Sequence, residues 1–227
     1  DIDVIAIATP VFTHFPLTKE AIEHGKDVLV VKARTSKINE AETLIELAEK
    51  KRKKLMVDHT FIYTGAVRKI KEIVSNGEIG DIMYFDSVRV NLGLFQHDIN
   101  VIWDLATHDI SIMEYIMDKK PQAVSAIGIN HYNQFEDIAY LTVYFDDKCI
   151  AHFHVNWLAP VKVRNILIGG TKKMILYDDT ESSEKIKVYD KGVVARTKED
   201  VHETLIQYRT GDMYAPKLDT TEALTEV

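Results

Sequence analysis

The sequence predicts two successive folding patterns: an α/β half in which short strands alternate with helices, then an α+β half built on a largely antiparallel open sheet. Two observations lead to this prediction. In roughly the first 60 residues, each predicted strand is almost wholly apolar and alternates with helical patterns, as in a buried parallel sheet. From about residue 120 onward, β-branched and aromatic runs follow one another with tight turns between them. We therefore place a domain boundary near residue 60, which divides the chain into residues 1–60 and 61–227.

Three strands and two helices are predicted in the first half. The strands cover residues 2–8, 27–31 and 55–57. A short helix marked by Leu17, Ala21 and Ile22 ends at Gly25, and a second helix covers residues 39–50. Because all three strands are apolar along their whole length, we expect a parallel sheet with helices on both faces.

The second half begins with a helix over residues 66–75, where Val67, Ile70 and Val74 recur at helical spacing. Another helix includes Asp104 and runs to about Met117. Strands are predicted at residues 82–91, 123–129, 139–145, 149–157, 163–169, 173–178 and 186–189. Residues 146–148 and the pair Gly169–Gly170 are predicted to form hairpin turns.

Composition excludes several classes of function. The chain has 227 residues, 46% of them hydrophobic, which is enough for a substantial core. A net charge of −7 without a long basic run argues against nucleic acid or an anionic membrane as the partner. The single Cys149 excludes an intramolecular disulfide, and no apolar run is long enough to span a bilayer. We expect a cytoplasmic protein that binds a small molecule; because the chain begins directly in an apolar strand, we also expect it to be a fragment.

A carboxylate and an imidazole stand four residues apart near the start of the helix that contains Asp104. Residues at that spacing share one helical face, with Cβ atoms roughly 5–6 Å apart. Asp104 can therefore orient His108, whose ordinary pKa suits proton transfer near neutral pH. The pair predicts an acid/base site, although a surface pair or a helix cap has the same spacing.

Several polar side chains follow the predicted strands of the first half, and parallel α/β sheets bind ligands at the carboxyl ends of their strands. These residues are Thr9, Pro10 and His14 after the first strand, Lys32 after the second, and Asp58 and His59 after the third. Lys32 could donate a hydrogen bond to a substrate hydroxyl and stabilise a developing alkoxide while His108 moves the proton. The alternatives are a solvated lysine and a packing or capping role for His14.

Four ordered motifs together resemble the Gfo/Idh/MocA oxidoreductases. They are Ala8-Thr9-Pro10-x-x-x-His14, the run over residues 25–32, Asn76-Gly77-Glu78-Ile79-Gly80-Asp81, and Trp103-Asp104-x-x-x-His108-Asp109-Ile110-Ser111. Residues 211–219 also look like that family, so the resemblance spans nearly the whole chain. Within the family, the chain looks most like the branch of nucleotide-sugar 3-dehydrogenases.

The resemblance implies that residues 1–60 are the C-terminal part of a Rossmann-like dinucleotide-binding domain and residues 61–227 a domain for substrate binding and oligomerisation. It implies hydride transfer between NAD or NADP and the carbinol carbon of a sugar or nucleotide sugar. By the same resemblance, Lys32 would touch the reacting hydroxyl, His108 would act as acid/base, and Asp104 would bind substrate or orient the histidine. Cofactor contacts are expected from Ala8, Thr9, Pro10, His14 and Lys32. The sheet of the second domain would mediate a homodimer or homotetramer.

Further side chains could reach a sugar or its diphosphate, for which arginine is a good bidentate ligand. These residues are Tyr63, Arg89, Asn91, Gln96 and Trp157, with structural roles as the alternative for each. His152 and His154 would face the same side of a strand. Since no third ligand stands at a recognisable spacing, we expect no metal site.

The chain departs from the family at the cofactor edge. It contains no G-x-G-x-x-G turn, the family's anchor for the dinucleotide pyrophosphate, and we expect it to lack the family's first strand and its last segments. It has Val31-Lys32-Ala33 where Glu-Lys-Pro is usual in the family. A cis bond before a residue other than proline costs about 2.5–4 kcal/mol, so we expect a trans bond and a displaced Lys32. Two alternatives therefore stay open: a non-catalytic relative that binds a sugar or a partner protein, and a folded remnant without a ligand.

Overall fold

The computed structural model describes residues 2–93, 95–146, 148–194 and 207–218. Its first unit is a parallel sheet of three strands in the order β1-β2-β3. The strands are β1 (Val4–Ile7), β2 (Asp27–Val31) and β3 (Leu55–Asp58). Helix α1 (Val11–Glu23) connects β1 to β2, and helix α2 (Ile38–Lys51) connects β2 to β3.

Both helices pack on one face of this sheet. Val28 and Val30 of β2 are buried there against Ile22 of α1 and Ala48 of α2. On the opposite face, Val4 is 56% exposed. The prediction of helices on both faces is therefore wrong for the described residues. The chain crosses the sheet in one direction, and successive right-handed crossovers in one direction place their helices on the same side.

The second unit is an eight-stranded sheet with two helices on one face. A 3₁₀ turn (Thr60–Tyr63) precedes helix α3 (Gly65–Ser75), and a π-helical turn (Ile102–Ala106) leads directly into helix α4 (Thr107–Met117). None of the helices in the described part of the chain is long and apolar enough to cross a membrane.

The strands of this sheet follow the order β13-β10-β9-β8-β4-β7-β6-β5. They are β4 (Ile82–Leu92), β5 (Ala123–Ile129), β6 (Ile138–Tyr144), β7 (Ile150–Asn156), β8 (Leu158–Gly170), β9 (Met174–Asp178), β10 (Ile186–Tyr189) and β13 (Met213–Tyr214). Strands β4 and β7 are parallel, and every other neighbouring pair is antiparallel. A separate ribbon pairs β11 (Gly192–Val194) with β12 (Gln207–Arg209). The predicted fold class, a parallel sheet followed by a largely antiparallel open sheet, is confirmed.

The main core lies between the large sheet and its two helices. Phe85 and Phe153 of the sheet are fully buried with Ile70 of α3 and Ile112 of α4. Burial of such side chains stabilises the fold by about 1.5–3 kcal/mol each. The small sheet ends at Asp58 and the large sheet begins at Ile82. The domain boundary near residue 60 stays a prediction.

Gly169 and Gly170 are the last two residues of β8 and precede the hairpin turn, rather than forming it as predicted. A Cβ atom at Gly169 would overlap the ring of Tyr84, and one at Gly170 would overlap the carbonyl group of Ile79. These glycines serve close packing, which produces the same sequence signal as a turn. The other predicted turn includes residue 147, which is outside the described residues, but β6 and β7 pair as antiparallel neighbours on either side of it.

Candidate substrate and cofactor site

The two units meet at an ion pair between Lys32 and Asp104. Lys32 follows β2 at the carboxyl edge of the small sheet, and its Nζ donates to Asp104 Oδ1 at 2.8 Å and to the Asp104 carbonyl oxygen at 2.6 Å. The other carboxylate oxygen accepts from Nε1 of Trp157 at 3.0 Å. The Lys32 and Asp104 side chains are 22% and 18% exposed, so the pair is partly shielded from bulk water and still accessible from the surface. Residues predicted from two distant motifs are thus brought together.

The Lys32–Ala33 peptide bond is cis, so the predicted trans bond is wrong. The prediction considered only the intrinsic preference of that bond, whereas tertiary contacts hold the chain on both sides of it. Lys32 binds Asp104, and the carbonyl oxygen of Ala33 lies 2.8 Å from Nδ1 of His14. The predicted displacement of Lys32 from the family's position stays a prediction.

His108 presents a neutral imidazole beside this pair. Its Nδ1 is buried and has no hydrogen-bond partner among the described residues, and the ring of Phe61 packs edge-on against it at 4.9 Å between centroids. Burial, and then the positive charges of Lys32 and Arg89, lower the pKa of His108 to about 2. The imidazole is therefore uncharged at physiological pH, and without a ligand it is a weak base.

Asp104 does not orient His108 as the helical spacing predicts. Its two carboxylate oxygens accept from Lys32 and Trp157, which are stronger partners because one is cationic and the other is a rigid indole donor. The segment that contains Asp104 is also a π-helical turn, and such turns are frequent at functional sites. Asp104 holds Lys32 in place and leaves the histidine without a carboxylate partner among the described contacts.

A buried ion pair lies close to His108. Arg89 donates to Asp109 through Nη2 at 2.6 Å and through Nε at 3.0 Å, and Ser87 donates to the same carboxylate at 2.7 Å. The Arg89 and Asp109 side chains are 3% and 2% exposed. Burial alone would lower the pKa of Arg89, but the Asp109 carboxylate outweighs it and the pKa is raised. Arg89 is thus committed to Asp109, and we do not assign it the substrate role predicted from the sequence.

The predicted cofactor residues lie at the carboxyl edge of β1. Ala8, Thr9 and Pro10 are exposed there, at the edge where parallel α/β sheets bind nucleotides. His14 is fully buried instead. Its ring nitrogens lie 2.7 Å from the Thr9 carbonyl oxygen and 2.8 Å from the Ala33 carbonyl oxygen. It therefore joins the segments after β1 and β2 rather than facing a ligand.

The remaining predicted substrate residues are half-buried. Tyr63 is in the 3₁₀ turn, with the guanidinium of Arg68 at 5.9 Å from its ring centroid. Asn91 is half-buried near the end of β4, and the carbonyl oxygen of Gln96 accepts a hydrogen bond from Asn133 at 3.2 Å. Their contacts with substrate stay predictions.

Sequence reasoning missed Phe61 and Arg164. The Phe61 ring contacts His108 and lies under two guanidinium groups, Arg89 at 4.6 Å and Arg164 at 5.9 Å from its centroid. Arg164 donates to Asp179 at 3.2 Å. An arginine two residues from Lys162 on a predicted strand is a weak signal that could have identified Arg164, whereas a lone phenylalanine carries no such signal.

His152 and His154 lie on the open face of the large sheet with Tyr140. The rings of His154 and Tyr140 stack at 4.5 Å between centroids and 15° between planes. Burial, and then the neighbouring His152, lower the pKa of His154. Within the described residues, no group of three or more potential ligands could hold a metal ion.

Both halves of the chain match models of known protein families. Residues 1–59 match the Gfo/Idh/MocA model described as an oxidoreductase family with an NAD-binding Rossmann fold, and residues 67–176 match the model of the Gfo/Idh/MocA C-terminal domain. A UDP-N-acetylglucosamine 3-dehydrogenase from Acidithiobacillus ferrooxidans is 26% identical over 171 residues, which cover 74% of this chain and 53% of that protein. The chain spans about half or less of the length of the curated relatives it matches.

Solved structures show the same fold. A structure of the UDP-N-acetylglucosamine 3-dehydrogenase from Acidithiobacillus ferrooxidans has a TM-score of 0.80 at 21% identity, covering 100% of this chain and 68% of that chain. An inositol dehydrogenase homologue from Azotobacter vinelandii, complexed with NADH and myo-inositol, has a TM-score of 0.76 at 18% identity, covering 82% of this chain and 53% of that chain. With its Rossmann-fold part and its C-terminal part both matched, this chain belongs to the Gfo/Idh/MocA family of oxidoreductases.

Proposed function

We propose that the chain supplies the substrate site and part of the cofactor site of an NAD(P)-dependent oxidoreductase that acts on a carbinol carbon of a sugar or nucleotide sugar. The observation that carries this proposal is the Lys32–Asp104 ion pair beside the neutral His108 at the carboxyl edge of the parallel sheet. Oxidation of a carbinol requires a donor for its oxygen and an acceptor for its proton. Lys32 and His108 provide these two groups.

The residues of this chain would divide the work as follows. Lys32 donates to the carbinol oxygen and stabilises the negative charge that develops there as the proton leaves. His108 accepts that proton as negative charge develops on the carbinol oxygen and offsets the cations that hold its pKa low, and in the reverse reaction it returns the proton. Asp104 positions the Lys32 ammonium, and Trp157 in turn positions Asp104. A bound nicotinamide supplies the acceptor or donor of the hydride.

The exposed residues Ala8, Thr9 and Pro10 would contact the nicotinamide ribose, and Lys32 lies at the end of the neighbouring strand. His14 supports this edge from below by its contacts with the segments after β1 and β2. Phe61 covers one side of His108 and keeps water from that part of the imidazole.

Steady-state kinetics of the full-length protein test the proposal, with NAD or NADP and with UDP-N-acetylglucosamine or myo-inositol as substrates. His108→Asn and Lys32→Met should each lower kcat by roughly 10²- to 10⁴-fold, the usual contribution of a positioned proton-transfer or polar group. His24→Asn is the matched control, because His24 is exposed near the end of α1, at the opposite edge of the sheet. Full activity of His108→Asn would contradict the role given to the imidazole.

A second candidate is a non-catalytic relative that binds a sugar. Val31 favours it, since it places no carboxylate next to Lys32. Two results together would support this candidate. Neither the natural protein nor the double variant Val31→Glu/Ala33→Pro changes the absorbance of the nicotinamide cofactor in the presence of a sugar, and calorimetry detects sugar binding to the natural protein. Turnover by the natural protein rules it out.

We also propose that the protein forms a homo-oligomer through the open face of the large sheet. Ile127, Ile129 and Tyr140 lie on that face and are 72%, 56% and 42% exposed. Large exposed apolar side chains on one face of a sheet are typical of protein interfaces. Light scattering should show a dimer or tetramer that Ile127→Lys converts to a monomer; an unsubstituted protein that is already monomeric would contradict the proposal. A cytoplasmic location stays a prediction.

A further inference from the structure

Arg164 is a cation of the site whose side chain makes one hydrogen bond with the described residues. It lies on β8 directly opposite Arg89 of β4, and its side chain is 28% exposed. Nη1 donates to Asp179 Oδ2 at 3.2 Å, whereas the buried Nε has no hydrogen-bond partner in the described part of the chain. A guanidinium carries five N–H donors, and a buried donor without an acceptor is costly. This arrangement leaves Arg164 able to bind an acceptor that the described residues do not supply.

The neighbouring cations are committed to carboxylates. Arg89 donates to Asp109 through Nε and Nη2, and Lys32 donates to Asp104. Asp179 serves two cations at once, because Lys185 Nζ lies 3.3 Å from Oδ1 while Arg164 binds Oδ2. One carboxylate therefore faces two positive charges. The excess positive charge of this part of the site lies on the Arg164–Asp179–Lys185 cluster.

This cluster adjoins the acid/base residue. The Phe61 ring contacts His108 on one side and lies 5.9 Å from the Arg164 guanidinium carbon. The charge of Arg164 is also among the causes that lower the pKa of His108, after burial and the nearer cations. On its other side, Asp179 and Lys185 line a cleft of about 620 Å³ together with Thr64 and Lys217. Phe61 thus lies between His108 and Arg164, and the ion-pair partner of Arg164 lines the cleft.

From these contacts we propose that the substrate carries an anionic group, a carboxylate or a phosphate, and that Arg164 binds it. The inference rests on the proposed function and adds the charge of the substrate to it. Arginine binds both groups in bidentate geometry, and an anion would satisfy the unpaired Nε while balancing the excess charge. The residues that line the cleft leave room for either a uronate carboxylate beside the reacting ring or the diphosphate of a nucleotide sugar.

Binding of four probes to the full-length protein, measured by calorimetry, tests the proposal. UDP-N-acetylglucosamine carries only the diphosphate, glucuronate only the carboxylate, UDP-glucuronate both, and N-acetylglucosamine neither. Arg164→Met should weaken binding of at least one anionic probe by roughly 10- to 150-fold, the loss of one charged hydrogen-bonding group. Binding of N-acetylglucosamine should change less than about threefold. Loss confined to UDP-N-acetylglucosamine and UDP-glucuronate identifies the diphosphate as the ligand, and loss confined to the two glucuronate probes identifies the carboxylate.

Asp179→Asn is the matched control for a merely structural ion pair. It breaks the same salt bridge but keeps the charge of Arg164, so anion binding should be retained or strengthened. Equal losses for Arg164→Met and Asp179→Asn, or equal losses for neutral and anionic probes, would overturn the inference. If anionic probes depend on Arg164 but no substrate changes nicotinamide absorbance, the proposed function fails and this inference stands. If neutral polyols are oxidised and Arg164→Met does not change the binding of anionic probes, the proposed function stands and this inference fails.

Discussion

The buried, neutral imidazole of His108 should make the protein lose stability in weak acid. An ordinary histidine in the unfolded chain has a pKa of about 6.5, whereas burial and neighbouring cations lower the pKa of His108 in the folded protein to about 2. Between these values the unfolded state binds one more proton than the folded state, so the free energy of unfolding falls as pH falls. The slope is about 1.4 kcal/mol per pH unit below the unfolded pKa.

Between pH 7 and pH 5, this linkage amounts to about 2 kcal/mol, against the roughly 5–15 kcal/mol by which folded domains are usually stable. Urea unfolding at the two pH values gives the measurement for the natural chain and for His108→Asn. Asparagine takes up no proton, so the variant should lose about 2 kcal/mol less over the same interval. His59 and His154 also have lowered pKa values, and both proteins share their contribution. The difference between the two proteins therefore isolates His108.

His97→Asn is the control, because His97 is exposed. It should lose the same stability between pH 7 and pH 5 as the natural chain. Equal losses for the natural chain and His108→Asn would refute the reasoning, since they would mean that the folded protein protonates His108 as readily as the unfolded chain does.

Three further predictions follow from single contacts. Lys32→Met should raise the pKa of His108, because it removes a neighbouring positive charge while burial persists. NMR titration of the imidazole measures this pKa, and an unchanged or lower value would contradict the prediction. Arg89→Met should lower the free energy of unfolding by about 3–5 kcal/mol, since it leaves the Asp109 carboxylate buried and unpaired. In urea unfolding, a loss of stability below about 1 kcal/mol would count against this prediction. Gly170→Ala should cost about 1–3 kcal/mol by overlap with the backbone of Ile79, measured by thermal unfolding, and an unchanged Tm would show that β8 can shift to make room.

Most of the fold could be predicted because its signals are local. The bounds predicted for residues 27–31, 123–129 and 186–189 are those observed, since β-branched runs between turn residues specify strands without reference to the rest of the chain. The errors arose where one local signal has two causes. A Gly-Gly pair can form a turn or allow close packing, and only the positions of Tyr84 and Ile79 distinguish these.

The site was predictable in its residue types and less so in its contacts. Lys32, Asp104 and His108 do lie together, but the carboxylate binds the lysine and an indole rather than the histidine four residues away. Arg89 looked like a ligand for phosphate and is instead buried on Asp109, while Arg164 attracted no notice. Helical spacing indicates which side chains share a face, but it does not say which stronger partner arrives from elsewhere in the chain.

By itself, the sequence determined the alternation of strands and helices, the resemblance to a family of oxidoreductases, and the lysine and histidine on which the proposed chemistry depends. The tertiary structure alone decided how the charges pair, which imidazole is neutral and which arginine retains unused donors. The physical reason is that pairing and burial depend on residues far apart in the chain, such as Lys32 and Asp104, which are 72 positions apart. Hydrophobic periodicity and turn residues act within a few positions, whereas the energy of a charge depends on everything that surrounds it.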